Sequence, residues 1–225
     1  MIINFEERLS DSPFVDTIWR GQTQSAGNRI APAGGCWAML VERQGRKAQL
    51  SVVGPMKKAL PMHYAEDVEF VVIKFKPGTF MPHLPARNFL DAVVNLPEAA
   101  DKSFWLNGSA WQFPDYDNAE TFVDGLVSNS LLVREPVVDA VLQDQPQAIS
   151  LRSVQRRFLY ATGLTHSSIR QIARARQAMT LLQRGMPILD TVHEAGYTDQ
   201  PHMTKSLKHF IGQTPAQIVR MSQSE

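Results

Sequence analysis

The sequence predicts an α+β protein of two domains, a β-rich part over residues 1–134 and an all-α part over residues 150–225, with a short helix and linker at 135–149 between them. Three observations predict it. The first part carries short apolar or alternating runs (CWAMLVE, AQLSVVG, VEFVVIKFKPG), bounded by the turn-forming clusters APAGG, RQGRK, VGPMKK and KPGTF. Short strands at such spacing favour a sandwich or barrel. From Ser150 onward the pattern turns to helices with legible start and stop residues. Charge divides at the same place: residues 1–149 hold 13 Lys+Arg against 18 Asp+Glu, and residues 150–225 hold 10 against four. A chain with a net charge of +1, made of an acidic part and a basic part, offers only the second to a polyanion.

Composition narrows the class. At 225 residues with 44% hydrophobic and 20% charged residues, the chain can bury two ordinary globular cores. No run approaches the roughly 18–20 apolar residues that span a bilayer. The N-terminus, MIINFEERLSDS, lacks the basic and apolar segments of a secretory signal. A single cysteine, Cys36, leaves no internal disulfide framework and fits a reducing cytoplasm, the expected location. Flanked by Gly35 and Trp37, that thiol reads as packed rather than as an oxidant sensor.

In the first part, helical periodicity appears at residues 87–96 and again at 118–128, and Pro136–Leu142 reads as a short helix. DQPQAI, at 144–149, is then a polar joint. Ser150 can cap the helix LRSVQRRFLYAT, and Gly163 can close it. Val154 and Phe158, four apart, mark its inward face, while Arg152, Gln155, Arg156 and Leu159 form a neighbouring stripe. Ser167 or Ser168 is the expected start of a long helix ending at Gly185. Pro187 suits the first turn of PILDTVHEA, which Gly196 breaks. Asp199 can cap QPHMTKSLKHF, whose Met203, Leu207 and Phe210 recur at i, i+4, i+7 and must face inward. Gly212 stops that helix, and Thr214-Pro215 opens a last one. Helix, AGYTD turn, helix is a helix-turn-helix by its own logic.

Catalytic and metal chemistry find little support. His193-Glu194 begins like the zinc motif H-E-x-x-H, but the residue three beyond Glu194 is Tyr197. His63 and His83 are isolated, and no phosphate loop, G-x-S-x-G elbow or Cys–His pair is present. No enzyme activity, metal or cofactor is therefore expected.

DNA recognition makes demands that the sequence meets. A helix in the major groove needs amide and cationic side chains on its outward face to reach base edges. The first capped helix offers Arg152, Gln155 and Arg156; the second offers Gln200, Thr204 and Lys205. Arg157, Arg170 and Lys208 are better placed for phosphates, which anchor without reading sequence.

These residues carry a resemblance. S-x-R-x-x-Q-R-x-F with T-G-L, then R-x-x-x-A-x-x-L-L, A-G-Y-x-D-Q-x-H and G-Q-T-P-A, over residues 150–220, resemble the DNA-binding domain of the AraC/XylS family of bacterial transcription regulators. The resemblance implies two helix-turn-helix units joined by a long helix, entering successive major-groove segments. It also implies that Arg152, Gln155, Arg156, Gln200, Thr204 and Lys205 read bases. The family's first unit has a supporting helix and a short turn. Here the nearest candidate, Pro136–Leu142, is followed by seven residues before Ser150, so an abridged first unit is expected.

The first part resembles the family's regulatory domains only loosely. Such domains are often cupin-like, jelly-roll-type β-barrels that bind a small-molecule effector or form a homodimer. Trp19, Trp37, Trp105, Trp111, Phe70 and Phe75 are available to line a pocket, although aromatics are more often core. The expected protein is a sequence-specific transcription regulator. Its expected partners are double-stranded promoter DNA, with RNA polymerase, an effector and a second copy as further candidates, and no membrane. The alternative is a cupin-like small-molecule-binding protein or enzyme with an accessory helical module.

Overall fold

The computed structural model describes residues 2–100 and 102–222. The strands of the first part are β1 (Ile2–Leu9), β2 (Val15–Thr23), β3 (Gly27–Ala31), β4 (Ala38–Gln44), β5 (Lys47–Val53), β6 (Leu60–Tyr64), β7 (Glu69–Phe75), β8 (Thr79–Phe80), β9 (Val93–Asn95), β10 (Glu98–Ala99), β11 (Ser103–Leu106) and β12 (Ser109–Gln112). After them come α1 (Ala119–Ser128) and the short β13 (Val133–Arg134). Six strands form one antiparallel sheet in the order β1-β2-β7-β4-β5-β9. A β3–β6 ribbon, a β8–β13 pair and a small β10-β11-β12 sheet complete the strand-rich domain.

Alternation along the central strands decides what each face meets. Met39 and Val41 of β4, and Val71, Ile73 and Phe75 of β7, point into the main core with α1. There Trp37 stacks on Phe75 with ring centroids 3.9 Å apart, and its indole N–H donates to the Thr79 carbonyl at 2.7 Å. Both demands of a buried tryptophan, apolar contact and a partner for its one donor, are thereby met. Ala38, Leu40, Phe70 and Val72 point the other way, toward a cavity that lies against that face.

The helix expected at 87–96 does not form. A 3₁₀ turn at Ala86–Asn88 is followed by Asp91 at φ 56°, a left-handed conformation that breaks helical propagation, and residues 93–95 pair with β5. The apolar spacing that imitated a helix instead supplies Phe89 and Leu96 to the main core.

The helical half comprises α2 (Pro136–Leu142), α3 (Leu151–Thr162), α4 (His166–Gln183), α5 (Ile188–Glu194), α6 (Gln200–Phe210) and α7 (Pro215–Ser222). Its boundaries follow side-chain caps that satisfy otherwise orphan N–H groups. Ser150 Oγ accepts from the Ser153 N–H, and Asp199 Oδ1 accepts from the His202 N–H at 2.7 Å. At α7, Thr214 Oγ1 accepts from the Gln217 N–H while Gln217 Oε1 accepts from the Thr214 N–H, a reciprocal capping box. Replacing Thr214 by Ala should cost about 1 kcal/mol in thermal or denaturant unfolding. The long helix begins earlier than the sequence suggests. Thr165 is its cap, accepting from the Ser168 N–H at 3.1 Å, so His166, Ser167 and Ser168 lie inside the first turn.

The two helical pairs are built differently. Residues from α4, α5, α6 and α7 share a core that includes Ala178, Leu182, Val192, Met203, Leu207 and Ile218. By contrast, α2 and α3 close around Val138, Phe158 and Ala161 together with Phe80 of β8. The first pair thus borrows its core from the β-rich domain. The supporting helix expected at Pro136–Leu142 is present and packs on α3, but the strand domain supplies the rest of its support.

Candidate nucleic-acid interface

Both candidate recognition helices present the stripe that their periodicity implies. On α3, Val154 and Phe158 are buried, whereas Arg152, Gln155 and Arg156 are exposed and Leu159 in the same stripe is 47% exposed. On α6, Met203 and Leu207 are fully buried; Gln200 and Lys205 are exposed and Thr204 is half-buried on the outward side. Tyr197, in the turn before α6, hydrogen-bonds Ser206 through its hydroxyl at 2.8 Å and packs beneath Arg174, which lies 4.4 Å from its ring centre. Turn and helix are therefore fixed to each other and to α4.

The residues read as phosphate contacts differ in their surroundings. Arg170 and Lys208 are exposed. Arg157 instead pairs with Glu135 at 2.8 Å, and the same Glu135 accepts from the Val137 N–H at the start of α2. One carboxylate thus joins α2 to α3. Of the histidines that crowd the second unit, His193, His202 and His209 are exposed, and His202 stands edge-on to Tyr197. Among the described residues, no three His, Cys, Asp or Glu side chains are grouped to hold a metal ion. No described helix is long and apolar enough to cross a membrane.

The β-rich domain grips both units. Gly163, which closes α3 at φ 71°, sits so close to Ala86 that a Cβ there would lie 3.2 Å from it. At the far end, the last turn of α6 has carbonyls without helical partners. Two of them are satisfied by the strand domain: the Ala33 N–H donates to the Phe210 carbonyl at 2.6 Å and the Ala59 N–H to the His209 carbonyl at 2.9 Å. Arg176 of α4 donates from Nε to the Ala33 carbonyl at 2.8 Å. The loop between β3 and β4 is therefore bonded to both α4 and α6.

That loop also walls the cavity, whose volume is about 370 Å³, within the range of small-molecule sites. Of the aromatics proposed for a pocket, Trp19 and Phe70 line it. Trp37, Trp111 and Phe75 belong to the main core, and Trp105 is exposed. Cys36 lies in the cavity wall, where burial pushes its thiol pKa up to about 11. Against an ordinary value of 9.0, the thiolate fraction at neutral pH falls by roughly a hundredfold. Alkylation by iodoacetamide should be slower by about that factor than in the unfolded chain, and should accelerate up to about pH 11.

Sequence reasoning named Trp19 and Phe70 as available to line a pocket but missed where the cavity lies, Arg176 and the bonds that hold the end of α6. One signal was present. Val71, Val72 and Ile73 form an uninterrupted apolar run, and a strand apolar on both faces is covered on both.

Residues 147–221 match a family described as a helix-turn-helix domain, and residues 9–95 match a domain of unknown function (DUF6597). No curated protein matches the chain. Among solved structures, ToxT from Vibrio cholerae is similar at 9% identity, covering 96% of this chain and 98% of that one with a TM-score of 0.45. ToxT from Vibrio cholerae O395 bound to (E)-4-(8-methylnaphthalen-1-yl)but-3-enoic acid is similar at 10% identity, covering 97% and 99%, with a TM-score of 0.45.

Proposed function

We propose, from the premise that residues 147–221 are an AraC-type helix-turn-helix domain, that the chain reads promoter DNA with α3 and α6 while its β-rich domain sets how those helices are held. It is a binding protein rather than an enzyme, and it works on DNA in the cytoplasm. Residues 1–134 form the regulatory domain, 135–149 the connecting helix and linker, and 150–225 the DNA-binding domain, of which 223–225 lie outside the described residues.

The observation that carries this reading is the outward face of α6, with Gln200, Thr204 and Lys205 standing over a buried Met203 and Leu207. Gln can take adenine through paired hydrogen bonds, the Thr methyl can touch a thymine methyl, and Lys can reach guanine acceptors. On α3, Arg152, Gln155 and Arg156 have the same capacity. The 18-residue α4 is about 27 Å long at 1.5 Å per residue, comparable to the roughly 34 Å between successive major-groove segments. Lys208 and Arg170 supply sequence-independent attraction to phosphate. Arg157 would contact phosphate only by leaving Glu135, so the phosphate role falls first to the other two.

Point variants divide these roles. With a selected DNA site, Gln200→Ala should cost about 1–3 kcal/mol at one base position and relax preference there. Lys208→Ala should weaken all sequences alike and lower the salt dependence by about one phosphate contact. Equal losses for Gln200→Ala on selected and random DNA would remove Gln200 from the base-reading set.

The coupling between domains rests on the shared loop. Ala33 bonds α6 and Arg176, while its neighbours Pro32, Gly34 and Gly35 wall the cavity. A small-molecule effector that shifts this loop acts directly on the end of the second recognition helix.

A further inference from the structure

Helix α3 carries three exposed large apolar side chains, and their surroundings differ. Tyr160 stands edge-on to Phe80 of β8, with ring centroids 5.3 Å apart, so the strand domain accounts for it. Leu151 and Leu159 belong to none of the apolar clusters among the described residues. Leu151 is 72% exposed in the first turn of the helix, and Leu159 is 47% exposed in the last. They stand four residues before and four after Gln155, one helical turn to either side of it. That stretch of surface is thus leucine, amide, leucine, flanked by Arg152 and Arg156.

An open leucine scattered singly over a surface needs no explanation. These two bracket a candidate base reader, on a helix that carries Arg152, Arg156 and Arg157 and no Asp or Glu, a balance that suits an anionic partner. The DNA major groove offers such a side chain one apolar feature, the 5-methyl group of thymine. Position decides between the two leucines. Recognition helices meet base edges through their N-terminal residues, and helical side chains lean toward the N-terminus. Leu151 sits at that end, next to Arg152, whereas Leu159 lies about 12 Å further along at 1.5 Å per residue.

We propose that Leu151 is a further specificity-determining residue, packing on a thymine methyl beside the adenine taken by Gln155. The inference rests on the reading of α3 as a base-reading helix. Four residues of helix advance about 6 Å and base pairs rise about 3.4 Å, so the thymine lies within about two base pairs of that adenine. A buried methyl is worth about as much as a methylene, which is about fourfold in affinity.

The test is titration of the full chain with a duplex carrying its selected site, in which each thymine is replaced in turn by deoxyuridine. The α3 segment of that site is the one whose base preference Gln155→Ala relaxes. One replacement within it should weaken binding about fourfold, since only the methyl is lost. Leu151→Ala should bind the thymine and deoxyuridine duplexes alike, and Leu159→Ala should keep the difference. Leu151→Met, apolar and of similar volume, should retain most of it. With cytosine at that position, 5-methylation should strengthen binding by the same factor in the native chain and not in Leu151→Ala. Leu151 has no core contact to lose, and thermal unfolding checks that its variants are folded. A methyl effect that survives Leu151→Ala, that disappears with Leu159→Ala, or that is absent from the α3 segment would overturn the assignment while leaving sequence preference intact. Selection of no preferred sequence would instead remove the base-reading role of α3, and this inference with it.

Discussion

Phe158→Ala should lower the stability of the whole chain by about 3–5 kcal/mol, in one transition shared by strands and helices. Phe158 is 2% exposed, and it packs with Val138 of α2, Ala161 of α3 and Phe80 of β8. An aromatic ring removed from such a site leaves a cavity that the surrounding backbone cannot fill. The effect belongs to both domains because the core does. If the first helical pair had its own core, the same substitution would melt α2 and α3 and leave the six-stranded sheet at its original midpoint. Fluorescence of the tryptophans, all four of which lie in the β-rich domain, against far-ultraviolet circular dichroism of the helices separates these outcomes. Coincident transitions, both shifted downward, are expected. A shift confined to the circular dichroism signal would mean that the domains are energetically independent.

Gly212→Val should release the end of α6 from the β-rich domain. Two costs add. Gly212 has φ 81°, where a β-branched residue is strained by about 1–2 kcal/mol. Its Cβ would also stand 2.5 Å from Ile30 Cγ2 and 3.2 Å from Ala59, an overlap worth about 1–3 kcal/mol. The combined penalty is about 2–5 kcal/mol. It falls on the contact that lets Ala33 and Ala59 donate to the last carbonyls of α6. Amide hydrogen exchange should therefore quicken at Ala33 and Ala59 far more than at Met203 or Leu207, whose core lies within the helical half. Unchanged protection at those two alanines would show that the bonds contribute little to holding α6.

The outward faces of α3 and α6 were legible because they are local. Caps at Ser150, Asp199 and Thr214 stand within three residues of the N–H groups they satisfy, and the buried Met203 and Leu207 follow from helical period alone. Periodicity misled at 87–96, where Phe89 and Leu96 serve a sheet-backed core and Asp91 bends the chain between them. Other features depend on contacts between residues far apart in sequence. Arg157 carries nothing in its neighbourhood to announce Glu135, 22 positions away, and Arg176 meets the Ala33 carbonyl across 143. The cavity arises where the second apolar face of the sheet, a two-stranded ribbon and α4 converge, and no single segment encodes it.

The most direct test of the central claim is selection of DNA fragments by the purified chain, followed by titration of the selected and a random duplex at several salt concentrations. A preferred site of two short segments about one helical turn apart is expected. Affinity for that site should be at least about a thousandfold above random DNA at physiological salt, with a ratio that persists as salt weakens both. Enrichment of no sequence, with affinities that coincide for both duplexes at every salt concentration, would contradict it.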